Sequence, residues 1–197
     1  MNTLFSHNHN AEKNNADDVI QLFNDCFQVS TNTILVGNAQ EPIYLPANEQ
    51  RLFNQVVFTH DYFSSALHEI AHWCIAGKER RTKTDYGYWY SPDGRTAEQQ
   101  EAFERAEVKP QALECVFSMA ANITFNVSID NLQGEETCRV AFEEAVEKQV
   151  QSFASTGFNG RAKQFLAALH HFYKTPFLSS QSAISPSKAG SHIETKI

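Results

Sequence analysis

The residues most able to do chemistry lie between Ala66 and Ile75, a stretch that reads ALHEIAHWCI. His68 and His72 stand four apart and Glu69 follows the first, which is the spacing H-E-x-x-H. On a helix, residues i and i+4 lie one turn apart on the same face, so both imidazoles can aim a ring nitrogen at one point. Neutral imidazole suits zinc, iron or copper. Glu69 projects about a quarter-turn round the helix, beside an ion rather than bound to it. In a zinc peptidase a glutamate so placed is the general base for a metal-bound water. The plain structural account would be two half-buried histidines packing beside Trp73. The helical context and the apolar flanks favour a site.

Two imidazoles leave coordination positions open, so a third protein ligand is expected. The protease extension H-E-x-x-H-x-x-G-x-x-H is missing, because Ile75 and Lys78 stand three and six residues after His72. The acids that could serve lie in FERAEVKPQALE: Glu104, Glu107 and Glu114. Glu107 is preferred, because Pro110 interrupts the helical hydrogen-bond ladder there and can turn a carboxylate inward. Glu104 is expected in solvent among other charges, and Glu114, amid apolar neighbours, is the reserve. Two histidines and a carboxylate serve both non-haem Fe(II) oxygenases and zinc hydrolases. Spacing alone does not separate the two chemistries.

The elements that must position these groups read as follows. Ala16 to Phe27 puts Val19, Leu22, Phe23, Cys26 and Phe27 on one helical face. TILVG and NQVVFT are β-branched runs of strand type, and EPIYLPA, with a proline near each end, suits an edge strand. The motif helix is expected from Asp61, as N-cap, to Ala76, with Gly77 as its stop. DYGYWY reads as a strand closed by the turn SPDG. TAEQ from Thr96 is a capping box opening a helix that Pro110 should kink or restart. Two amphipathic helices follow, near Glu136 to Ser155 and Arg161 to Tyr173. The expected fold class is α+β: a helix-rich single domain with a small sheet and a zincin-like H-E-x-x-H helix. Residues 1–14 and 179–197 are polar and expected to be loose, leaving 15–178 as the folded unit.

With 197 residues the chain can bury a sizeable core, and its formal charge of −7 argues against nucleic acid or an anionic membrane as partner. No apolar run is long enough to cross a bilayer, and MNTLFSHNHNAEKNN lacks the pattern of a secretion signal. Cys26, Cys74, Cys115 and Cys138 are scattered without a C-x-x-C pair, as expected of reduced thiols in a cytoplasmic protein. The sequons at Asn122 and Asn126 are then coincidental. His170 and His171 are adjacent, so they point apart and read as helix surface and boundary rather than ligands. His60 is a candidate for supporting the site. Lys78, Arg80, Arg81 and Lys83 complement the negative end of the motif helix.

Four strings in this order, EPIYLPA, HEIAHWCIAGKERR, DYGYWYSPDGR and EVKPQALE, resemble the bacterial elongation factor P hydroxylase family, over about Asn15 to Pro176. The resemblance implies hydroxylation of the β-lysylated lysine of elongation factor P, as its protein partner. It implies a metal on His68 and His72, favours Glu107 as third ligand, and points to Fe(II), with Mn(II) or Zn(II) as alternatives. Molecular oxygen would be the co-substrate, because an alkyl C–H bond offers no acid proton and zinc has no redox chemistry to supply. Glu69 would then handle protons or support the ligands. The substrate carries ammonium groups, so carboxylates and aromatic faces should line its path, and Asp85, Tyr86, Tyr88 and Asp93 are the candidates. The alternative function is a zinc metallopeptidase with Glu69 as base.

Overall fold

The computed structural model describes residues 15–87, 96–128 and 136–176. Helix α1 (Ala16–Phe27) opens on Asn15, whose side chain accepts from the Asp17 amide. Strand β1 (Thr33–Ala39) follows, then β2 (Ile43–Leu45) and β3 (Asn54–Thr59). The sheet order is β1-β3-β2, with β1 parallel and β2 antiparallel to β3, so EPIYLPA does form an edge. A proline-flanked strand belongs at an edge, where a missing donor breaks no ladder. Asn24 of α1 accepts from the Leu35 amide at 2.9 Å and ties that helix to β1.

Helix α2 (Phe63–Ile75) carries the motif and lies against β3 and three helices: α1, α3 (Ala97–Ala120) and α5 (Gly160–Tyr173). Helix α4 (Glu136–Thr156) packs on α3. The architecture is α+β and helix-rich, as the sequence implies. One face of α2 is anchored in an aromatic core. Trp73 meets Phe27 at 4.7 Å and Phe23 at 5.1 Å between ring centres, and Phe165 of α5 joins Phe23 at 6.1 Å. Tilted ring pairs of this kind add to the area they bury and fix orientation.

The ends of α2 depart from expectation. The helix begins two residues later than Asp61, at a Tyr62 cap that makes no side-chain hydrogen bond, so burial rather than capping starts it. At the other end Gly77 is not the device. The last carbonyls are held by side chains: Arg161 donates to Cys74 at 2.8 Å and to Ala76 at 2.7 Å, and Asn159 donates to Cys74 at 2.9 Å. Arg81 also donates to Ala76, so one of the four basic residues does complement this end. The Arg161 guanidinium sits 4.8 Å above the Trp73 ring. Cations at a helix C-terminus satisfy orphan carbonyls and oppose the macrodipole.

Helix α3 starts at the expected capping box, with Thr96 and Gln99 bonded reciprocally. It is a single element of 24 residues that runs through Pro110, so the expected restart does not occur. Proline still removes the amide hydrogen that the Ala106 carbonyl would take, but buried neighbours on both sides of it hold the helix together. His170 is a second correction: it is buried, its Nδ1 lies 2.7 Å from the Thr175 hydroxyl, and that hydroxyl donates to the Ala120 carbonyl. His171 is exposed.

Arg161→Ala removes two charge-assisted hydrogen bonds and a cation–π contact from the turn that ends beside His72. Urea unfolding should show a loss of about 2–3 kcal/mol, with Arg161→Lys recovering part of it. An unchanged midpoint for the alanine variant would show that the C-terminus of α2 does not need this cap.

Candidate metal centre

Two helices build the cluster. On α2, His68 and His72 share a face, with ring centres 4.6 Å apart. On α3, the buried polar residues Glu107, Gln111, Glu114 and Ser118 recur at intervals of four, three and four, one stripe of a helix. Glu107 therefore faces inward through helical periodicity, not through a break at Pro110. Gln111, in the same stripe, holds the segment after α3 by a donor to the Ser128 carbonyl at 2.6 Å and an acceptor for its amide at 3.0 Å.

The atoms converge. His68 Nε2 and His72 Nε2 lie 3.0 Å apart, His72 Nε2 is 3.3 Å from Glu107 Oε1, and His68 Nε2 is 3.6 Å from Glu107 Oε2. Donor atoms bound to one ion at ~2.1 Å stand ~3.0 Å apart at right angles and ~3.4 Å apart at the tetrahedral angle. The three separations bracket that range. Glu107 is 4 % exposed, and its Oε2 is buried without a hydrogen-bond partner. A buried carboxylate oxygen left so is costly unless a cation completes it. His68, His72 and Glu107 thus form a group that fits a transition ion, and they are the one such group among the described residues.

The other acids take different places. Glu114 Oε2 lies 2.8 Å from His68 Nδ1, behind the ring and away from the point of convergence, so its contact is with a histidine and not with the shared centre. Glu104 accepts from Gln100 at 2.9 Å, one turn before Glu107. His60 is exposed, stacks on Tyr62 at 5.3 Å and is not part of the group.

A cleft open to solvent runs up to His72 and Glu69. Tyr44 and Val56 of the sheet, Trp73, and the segment carrying Arg80 and Asp85 form its walls. Asp85 is not a free carboxylate: it is paired with the Arg80 guanidinium and accepts from the Gly87 amide at 3.0 Å. Burial works to raise its pKa, but Arg80 prevails and holds it below the usual value. Its backbone bridges to Tyr44, which brings this segment against the edge strand β2. Tyr86 is 59 % exposed. Tyr88 and Asp93, with the SPDG turn and the second half of DYGYWY, lie outside the described residues, as do the expected loose ends; in the first half only Asp85 pairs with the sheet.

Charge is unevenly balanced at the centre. Burial pushes Glu69 up, against the pull of the two imidazoles. Burial also works to raise Glu107, but His72 and His68 hold it below its usual value. For His68, burial opposes the charged ring, yet the Glu114 carboxylate on Nδ1, then Glu69 and Glu107, outweigh it and push its pKa up to about 10.

The fold and site define an α+β protein whose motif helix and a facing glutamate make a His–His–Glu cluster able to hold a metal. A family model described as elongation factor P hydroxylase matches residues 22–183. The elongation factor P lysine hydroxylase of Haemophilus influenzae is 49% identical over 159 residues, which cover 81% of this chain and 89% of that relative. The chain belongs to the elongation factor P hydroxylase family, and so to the hydroxylases among enzymes.

The sign of a pH effect follows from His68. Its folded value of about 10 exceeds the ordinary 6.5, so its contribution to stability is complete below 6.5 and is lost as pH rises through the folded value. Metal-free protein should therefore lose thermal stability between about pH 7 and about pH 10, more steeply than a His68→Gln variant. Parallel curves would show that the fold does not hold a proton there.

Proposed function

We propose that this chain hydroxylates the β-lysylated lysine of elongation factor P, using a metal held by His68, His72 and Glu107, and that residues 15–178 are the working unit. The observation that carries this reading is the convergence of two imidazole nitrogens and one carboxylate from two helices, at separations near those of donors sharing one ion. Family membership supports the reaction class, and the name of the Haemophilus influenzae relative supports a lysine of elongation factor P as target. Fe(II) is the proposed ion and molecular oxygen the co-substrate, because oxidising an alkyl carbon requires a redox centre with open positions for oxygen.

The chain's own residues would divide the remaining work. His68, His72 and Glu107 supply three ligands and leave the side toward the cleft to solvent and substrate. Glu69 and His72 both line the cleft, so a carboxyl group stands where protons must be delivered or taken up during oxygen chemistry. The raised pKa of Glu69 suits proton handling near neutral pH. The substrate side chain would enter as a cation past Tyr44, Trp73 and Asp85, where an aromatic face and a carboxylate favour positive charge. Asp85 could receive an ammonium only by exchanging Arg80 for it, and Tyr86 stands exposed beside it. A translation factor as substrate implies a cytoplasmic setting. No helix among the described residues is long and apolar enough to cross a membrane.

The zinc-peptidase reading draws on one feature, the presence of Glu69 in the same cleft as His72, where a water-activating base would stand. Incubating the Fe(II) protein aerobically with β-lysylated elongation factor P should add one oxygen atom to the substrate by intact mass. His72→Ala and Glu107→Ala should abolish that gain together with stoichiometric metal uptake. No gain by the wild type under several reductants, or peptide cleavage by its zinc form that Glu69→Gln abolishes, would overturn the proposal.

A further inference from the structure

Glu114 lies on the same stripe of α3 as Glu107, seven residues or two turns further along. It is 8 % exposed, and its Oε2 reaches His68 Nδ1 at 2.8 Å. Both carboxylates therefore face one histidine, but from opposite sides of its ring: Glu107 Oε2 is 3.6 Å from Nε2, and Glu114 takes Nδ1. From the geometry we infer that Glu114 is a positioning residue, which holds the Nδ1 hydrogen of His68 so that the Nε2 lone pair is presented to the metal. This deepens the metal reading proposed above and rests on it.

A neutral imidazole carries one hydrogen, and which nitrogen carries it decides which can bind a metal. A carboxylate only accepts hydrogen bonds, so at 2.8 Å it selects the form with hydrogen on Nδ1. An anionic acceptor also draws that hydrogen and raises the basicity of the opposite nitrogen, strengthening it as a donor. The second function of the contact is orientation. His68 reaches α3 only through ring nitrogens, and without a partner on Nδ1 the ring could flip or turn away from His72 Nε2, 3.0 Å distant. Because α3 is continuous from Ala97 to Ala120, one rigid rod fixes the distance between the proposed ligand Glu107 and the group behind His68.

The test separates a positioning role from a merely structural one. Metal affinity would be measured on the full chain by chelator competition with Zn(II) and, anaerobically, with Fe(II). Glu114→Ala should weaken binding about 100-fold and Glu114→Gln about 10-fold, since the amide oxygen still accepts but carries no charge. Glu104→Gln, altered one turn before Glu107 on the same helix, should bind as the wild type does. In the Zn(II) protein, nitrogen-15 spectra of labelled histidine should show a hydrogen on His68 Nδ1 in the wild type, and this signal should exchange rapidly or vanish in Glu114→Ala. The isosteric Glu114→Gln keeps the comparison valid if the alanine variant folds poorly. Wild-type binding with affinity within threefold in both Glu114 variants would overturn this inference alone. A wild type that takes up no metal would overturn the metal reading, and this inference with it.

Discussion

The constraint on which the rest depends is the burial of carboxylates on α3. Glu107 and Glu114 occupy a stripe whose neighbours are Ala112, Leu113, Val116 and Phe117, all within the core. An isolated carboxylate in such surroundings costs several kcal/mol and needs a partner close by. Helix α2 supplies two imidazoles at the depth of those acids. With Glu69 included, three carboxylates face two histidines, so even a protonated His68 leaves negative charge in excess. The proposed divalent ion, held between the two Nε2 atoms and the Glu107 carboxylate, would restore the balance that side chains alone do not. The pairing of α2 with α3 is thus as much an electrostatic requirement as a packing one.

That requirement explains why the aromatic core sits where it does. Trp73 follows His72 directly, so the residue that buries the helix and the residue that would bind the ion turn together. Phe23 and Phe27 hold the Trp73 ring, Phe165 backs both of them, and Arg161 covers it while capping the helix. A metal with bonds of ~2 Å tolerates little error in ligand position. Packing behind α2 and a continuous α3 in front of it reduce the site to the relative placement of two rods.

Much of this was legible in the sequence, and the limits were physical. H-E-x-x-H fixes the relative directions of His68 and His72 because helical geometry is local. The capping box at Thr96 and the proline-flanked edge strand are local for the same reason. The proline argument for Glu107 does not hold, since Pro110 does not restart α3, and the 3.6-residue period alone turns Glu107 and Glu114 inward. Which of two acids on one stripe meets which histidine nitrogen depends on how far α3 slides along α2, a tertiary quantity with no local signature. The caps of α2 were missed for a like reason, since Arg161 and Asn159 lie more than eighty residues from the carbonyls they hold. The burial of His170 has no local signature: adjacent residues on a helix point about 100° apart, and the sequence does not say which of the two histidines takes the core side.

The same geometry bears on the choice between the proposed oxidation and peptide hydrolysis at an H-E-x-x-H helix. In the hydrolytic use, the motif glutamate must hold a water against the metal, and the third ligand need only complete the coordination. Here Glu69 shares its cleft with Tyr44, Trp73 and the Arg80–Asp85 pair, a wall in which carboxylates and aromatic faces are interleaved. An extended peptide substrate would need an exposed strand edge to pair with. Edge strand β2 is not open for that purpose at Tyr44, because Asp85 already pairs with its backbone through bonds of 2.7 and 3.0 Å. A segment that occupies the sheet edge also forms the cleft wall. The proposed oxidation and the peptidase alternative therefore differ less in the motif than in what closes the edge beside it.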